Sequence, residues 1–300
     1  MSAESSSLPM YVAALVAYDG TEYFGFQVQK DVPTIQGTLE HCLCTFTTLE
    51  GRIVGSGRTD TGVHARGQVI GLRVHWRHDL SALQRAWNAH LPSAIAVRAV
   101  QSAPTDFHPR FSAVSRTYRY FVSDPCLPGW QAPRRSPLLH RYAHVERRQL
   151  DVAAMQQVAD LFVGEHDFAT FGQPPQGVNT VRRVLQAVWQ VVGTTLLPLG
   201  GQSERTLVFT ITANAFLQHM VRNLVGAMLA VGRGERSVGD VKTRLDMCNR
   251  SSALRPAPAN GLVLECVDYP DALGITLTRP IDESSYFGDD AIEILTGKKE

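Results

Sequence analysis

Residues 54–76 read VGSGRTDTGVHARGQVIGLRVHW, a glycine-rich loop running into an apolar segment. In that segment Ile70, Leu72, Val74 and Trp76 fall on every second position. This period of two predicts a strand over 68–76 with one face in a core. The loop before it carries one carboxylate, Asp60, among four glycines, with Arg58 two residues earlier and His64 four later.

Four chemistries compete for such a loop. A dinucleotide loop of the G-x-G-x-x-G kind needs glycine where Asp60 stands, and no Gly-Lys-Ser/Thr follows for a P-loop. Asp60-Thr61-Gly62 matches the triplet of aspartic proteases, which need two carboxylates sharing a proton. The chain has no second Asp-Ser/Thr-Gly, so a protease would have to be a symmetric dimer. A cation near Asp60 would also keep it ionised, which suits a nucleophile or fixed charge and spoils a shared proton. An arginine–aspartate pair bracing a turn is the remaining reading, and the loop alone leaves it open.

Working outward, 11–19 is β-rich and apolar. Thr34 is placed to cap a helix through about 49, with Ile35, Leu39, Leu43 and Phe46 on one face. A short strand is predicted over 52–54, a helix capped by Asp79 to about 90, and strands over 95–100 and 115–122. Prolines 125, 128, 133 and 137 then break the chain. The second half offers helices over 150–163, 215–231 and 238–248, and strands over 181–192, 206–213 and 261–268. In the 215–231 segment the apolar residues run from Phe216 and Leu217 to Met228 and Leu229, with Gln218, His219, Arg222 and Asn223 on other faces. The expected fold class is α+β: two halves with mixed, mainly antiparallel sheets flanked by helices and a cleft between them. The expected organisation is a flexible 1–10, a half at 11–124, a linker at 125–148, a second half at 149–270, and an acidic tail at 271–300 to which no role is assigned.

The net charge of +1 conceals a division. Residues 51–150 hold fifteen arginines, no lysine and five acids, an excess of ten positive charges. Residues 281–300 hold six acids against two lysines. An arginine-rich surface of this kind fits a polyanion, since guanidinium gives forked bonds to phosphate and a flat face for bases. The five cysteines are scattered without C-x-x-C spacing, so no zinc site is expected. No secretory signal or eighteen-residue apolar run is visible, and a cytoplasmic location without membrane attachment is expected.

The run RTDTGVHARGQV resembles the catalytic-aspartate motif of the TruA family of tRNA pseudouridine synthases. In the same order, YDGTEYFGFQVQ, DFHPRFSAVSRTYRY, NAFLQHMVRNLVG and GLVLECVDYP resemble four further marks of that family. The resemblance spans about 11–270. Thr61 stands where alanine is usual, and Val28 where arginine is common. The resemblance implies a tRNA pseudouridine synthase acting on uridines 38–40 of the anticodon stem-loop as a homodimer, with no metal or other cofactor. It implies Asp60 as nucleophile, Arg58 and Arg222 as cations of the site, Tyr118 against the base, and Leu262 lining the pocket. Arg66, Arg110, Arg116 and Arg119 are the expected phosphate contacts, while His64 and His108 are open between RNA contact and loop bracing. The alternative is a non-catalytic tRNA-binding or chaperone protein of the same fold.

Overall fold

The computed structural model describes residues 9–125, 139–174, 177–192, 204–252 and 254–277. They form two compact units, one from the described residues of Met1–Thr117 and Val263–Arg279, the other from those of Tyr118–Leu262. The chain is α+β, with a mixed, mainly antiparallel sheet arrangement and five α-helices among the described residues.

In the first unit β1 (Met10–Tyr18), β2 (Thr48–Gly55), β3 (His64–His75) and β4 (Ile95–Ser102) carry the sheet, with β10 (Leu262–Asp268) joining it from Val263 onward. The order is β4-β1-β3-β10, and β2 pairs β3. Val63 ends the loop and His64 opens β3, which runs antiparallel to β1 with Leu15 opposite Val69 and Val12 opposite Leu72. The parallel partner is β10, with Val263 opposite His64 and Leu264 opposite Ala65. Gly67 permits that approach, because a Cβ there would stand 2.0 Å from the Glu265 carbonyl oxygen. Helices α1 (Ile35–Leu43) and α2 (Leu80–His90) pack together. Ile35, Leu39, Leu43, Leu83 and Trp87 are buried, and the Trp87 indole donates to the Leu39 carbonyl at 3.1 Å.

Thr34 and Asp79 cap α1 and α2 as the sequence predicts, but α1 stops at Leu43 rather than near 49. The threonines beyond it join the strand instead: Thr48 pairs with His75, and the Thr47 hydroxyl donates to the His75 carbonyl. β-branched side chains fit a pleated surface better than a helix. Phe46 therefore leaves the helix face and meets Trp76 edge-on, with ring centroids 5.9 Å apart.

In the second unit the order is β5-β9-β8-β7, with β5 (Ser115–Pro125) belonging here from Tyr118 onward, β7 (Gly164–Asp167), β8 (Val181–Val192) and β9 (Glu204–Ala213). The segment expected as a linker is described from Leu139, and its β6 (His144–Val145) pairs with β5. Helices α3 (Val152–Phe162), α4 (Met220–Gly232) and α5 (Val238–Met247) pack against one another, α3 also on β8. Met155, Phe162, Phe209, Leu224 and Met228 form part of a core there.

Helix α4 begins at Met220, five residues later than its apolar pattern predicts. Gln218 and Gln173 exchange backbone hydrogen bonds as an isolated bridge, and His219 takes a left-handed φ of 61°. Neither conformation continues a helix. Asn223, expected on a polar face, is buried and donates to the Phe171 carbonyl at 2.6 Å. Residues 1–8, most of the expected linker and residues 278–300 of the acidic tail lie outside the described residues.

Candidate active site

Most of the side chains that hold the loop between β2 and β3 are uncharged. Gln68 is fully buried on β3 and uses its whole amide. Its Nε2 donates to the Gly57 carbonyl at 2.9 Å and to the Tyr18 hydroxyl at 3.3 Å, while its Oε1 accepts from Ser56 Oγ at 2.6 Å. Tyr18 and Thr59 share a hydroxyl–hydroxyl bond of 2.8 Å. Burial pushes the Tyr18 phenol up to about 12, against the smaller opposing effect of its bonds to Thr59 and Gln68. Thr59 is buried too, and its carbonyl accepts from Phe26 N–H at 3.1 Å. Gly25, at φ +88°, lies so close that a Cβ would meet that same carbonyl at 2.8 Å.

An extended segment alternates its side chains. With Thr59 turned into the core, Arg58 and Asp60 face the other way: Arg58 is exposed and Asp60 half-buried. The turn after them closes through Val63 N–H to the Asp60 carbonyl at 3.1 Å, with Gly62 at φ +78°.

His64, open between two roles in the sequence, is a buried brace. Its Nδ1 lies 3.1 Å from the Gly20 N–H and 3.2 Å from an Asp19 carboxylate oxygen. His108 likewise braces its own loop, with Nδ1 accepting from Arg110 N–H at 3.1 Å and Phe111 N–H at 3.2 Å.

The four arginines expected at phosphates are placed differently from one another. Arg66 and Arg110 are half-buried, and Arg66 lies 3.6 Å from Glu265. Arg116 and Arg119 are buried. The Arg116 guanidinium donates to the Ser56 carbonyl at 3.0 Å and the Arg110 carbonyl at 2.6 Å, fastening the Asp60 loop to the segment before β5.

Tyr118, Arg222 and Leu262 belong to the second unit. Tyr118 is buried with its ring edge-on to Phe216, 5.2 Å between centroids. The sequence reading missed Phe216 as a site neighbour by assigning it to a helix face; the nearby Gln-His-Met break was the only available sign. Arg222 sits in the first turn of α4, and its Nε donates to the Ala257 carbonyl at 2.9 Å. The backbone returns the bond, Ala257 N–H to Arg222 carbonyl at 2.8 Å. Leu262 is buried at the start of β10, just past a turn over which the Tyr120 hydroxyl donates to Pro258 at 2.9 Å. Among the described residues no group of three or more His, Cys, Asp or Glu is placed to hold a metal ion.

A polar loop presenting a single carboxylate beside a free arginine, on an α+β frame, is the arrangement that the family match explains. The model for tRNA pseudouridine synthase matches residues 14–112 and 158–270, and the chain belongs to that family. The matched blocks contain Asp60, Arg58, Arg222 and Leu262, while Tyr118 falls between them. A tRNA pseudouridine synthase A of Chloroflexus aurantiacus is 43% identical over 263 residues, covering 87% of this chain and 90% of the relative. That of Roseiflexus castenholzii is 38% identical over 279 residues, covering 89% and 98%. The crystal structure of an archaeal box H/ACA sRNP Nop10–Cbf5 complex covers 73% of this chain and 44% of that one at 10% identity, with a TM-score of 0.30, too low to carry an argument. The activity is that of an isomerase acting on tRNA uridine. No helix among the described residues is long and apolar enough to cross a membrane.

Proposed function

We propose that the chain converts uridine to pseudouridine at positions 38–40 of the tRNA anticodon stem-loop, with Asp60 as nucleophile. The observation that carries this reading is the half-buried Asp60, two residues from the exposed Arg58, in a loop whose shape is fixed by the buried Gln68, Tyr18, Thr59 and Ser56. In the reaction the bond from C1′ to N1 breaks, the uracil turns, and a bond from C1′ to C5 forms. The C5 proton leaves and N1 gains one, so nothing is oxidised or reduced.

A stacked uridine is out of reach of a side chain, and extruding it costs a few kcal/mol. Arg58, exposed beside Asp60, is the group proposed to displace the nucleotide. Tyr118 is proposed to pack on the base and serve the proton transfer at C5, Arg222 to act as the second cation of the site, and Leu262 to line the pocket. Arg66 and Arg110 are proposed to meet phosphates, with Arg116 and Arg119 contributing to the positive field from buried positions. A homodimer in the cytoplasm, carrying one tRNA across both subunits, completes the reading.

The test is release of tritium from tRNA labelled at uracil C5. Wild type should release it and Asp60→Ala should not. Undiminished release by the variant would sink the assignment of Asp60. Salt-sensitive tRNA binding without release by wild type would leave a non-catalytic tRNA-binding protein.

A further inference from the structure

Phe111 is 72% exposed, more than any other aromatic residue among the described exposed large hydrophobics. An isolated exposed ring carries no message. This one is held outward by a stiff loop. Phe107 anchors one end in the core, with its ring 5.1 Å from that of Tyr269, whose hydroxyl donates to the Pro109 carbonyl at 2.7 Å. His108 N–H donates to Ser112 Oγ at 3.0 Å, and Ser112 N–H returns to the His108 carbonyl at 2.9 Å. The His108 ring, fixed by its two backbone bonds, lies 4.3 Å from the Phe111 ring at 33°. The Arg110 guanidinium carbon stands 5.5 Å from the Phe111 centroid.

The chemistry around the ring decides its partner. An apolar protein surface would ask for apolar neighbours, whereas Phe111 is rimmed by a guanidinium, an imidazole and a serine hydroxyl. A flat hydrophobic face beside a fixed cation fits a nucleobase and its phosphate. The same guanidinium of Arg116 that holds the Arg110 carbonyl also holds Ser56 in the Asp60 loop, so both segments are fastened at one point.

We propose that Phe111 is an RNA contact, its exposed ring stacking on an unpaired base of the tRNA substrate while Arg110 meets the adjoining phosphate. The proposal rests on the tRNA reading given above. The experiment measures tRNA binding at several salt concentrations, together with single-turnover tritium release, for wild type, F111A, F111L, F111W and R110A. F111A and F111L should bind about ten- to a hundredfold more weakly, since a stacked base is lost in both. Their salt dependence should match wild type, because no charge is removed. F111W should keep wild-type affinity and show added indole fluorescence that tRNA quenches. R110A should flatten the slope of log affinity against log salt by about one.

F111A binding and turning over like wild type would overturn the proposal, as would F111L behaving like wild type, which would make the residue a filler rather than a stacking face. An F111A-induced shift in sedimentation would assign the ring to a contact between copies and overturn it equally. Absence of tritium release by wild type sinks the isomerase reading, whereas turnover undiminished in F111A sinks this inference alone.

Discussion

The loop of Asp60 in the first unit and the β5–β9 region of the second are both pinned by buried polar groups, with opposite chemistry. Around Asp60 most of the bracing side chains are neutral, a tyrosine, a threonine, a serine and a glutamine amide, with the Arg116 guanidinium added at the Ser56 carbonyl. In the second unit charge does the same work. Asp124 is fully buried and takes both Nε and Nη2 of Arg205, at 2.7 and 2.9 Å, plus Leu150 N–H at 2.7 Å. Glu146 accepts from Arg233 at 2.6 Å beside His144. The difference teaches how a region can be fixed: neutral hydrogen bonds set most of the geometry around Asp60, the carboxylate proposed to react, whereas ion pairs do so in the second unit.

The largest effect should come from removing the one acid of the loop. Asp60→Ala should lower tritium release at least about 10⁴-fold, the scale expected when a covalent route is lost. Its melting temperature should stay close to wild type, since Gln68, Tyr18, Thr59 and Ser56 hold the loop. A fall in stability would break the comparison. Next, Arg205→Met should cost about 3–5 kcal/mol in denaturant unfolding, because it strands the buried Asp124 carboxylate. A loss under 1 kcal/mol would show that Asp124 takes up a proton or water freely, and that the ionic brace is dispensable.

These contrasts were unevenly legible in the sequence. The alternation in 68–76 and the caps at Thr34 and Asp79 depend on neighbours in the chain, and such signals survive into the structure. The end of α1 and the start of α4 do not, because each is decided by a partner far away: β3 recruits Thr48, and Gln173 captures Gln218. Asn223 looked polar-facing for the same reason, its acceptor Phe171 lying outside the helix. Arg58 and Asp60 were singled out by the motif, and the roles given to them above are proposals. The arginine excess was not readable residue by residue, since a count cannot separate exposed Arg58 from buried Arg116 serving as a brace.

A smaller effect sharpens the neutral side. Gln68→Met keeps the volume but takes one hydrogen-bond partner each from Ser56 Oγ, the Gly57 carbonyl and the Tyr18 hydroxyl, the last keeping its bond to Thr59. The expected destabilisation is about 2–3 kcal/mol, with turnover reduced and tRNA affinity nearly kept. If affinity and turnover fell together, the network would be organising the RNA surface as well as the carboxylate.

The smallest effects separate the two regions by pH, and they have opposite signs. Burial raises the folded Tyr18 phenol above its ordinary 10.0, to about 12. Its contribution is therefore complete below pH 10 and is lost as the pH rises through about 12. Burial alone would raise Glu146, but His144 and Arg233 outweigh it and hold the carboxyl below its ordinary 4.5. That contribution is present above pH 4.5 and disappears as the pH falls through the folded value. Glu146→Gln should cost about 1 kcal/mol at neutral pH, the scale of a partly screened ion pair, and the difference from wild type should close on acidification. Tyr18→Phe should show its difference closing on the alkaline side instead. Thermal melts from pH 3 to 11 on both variants would read this directly, and a Glu146→Gln difference that held constant into acid would mean that the second unit is not held by that charge.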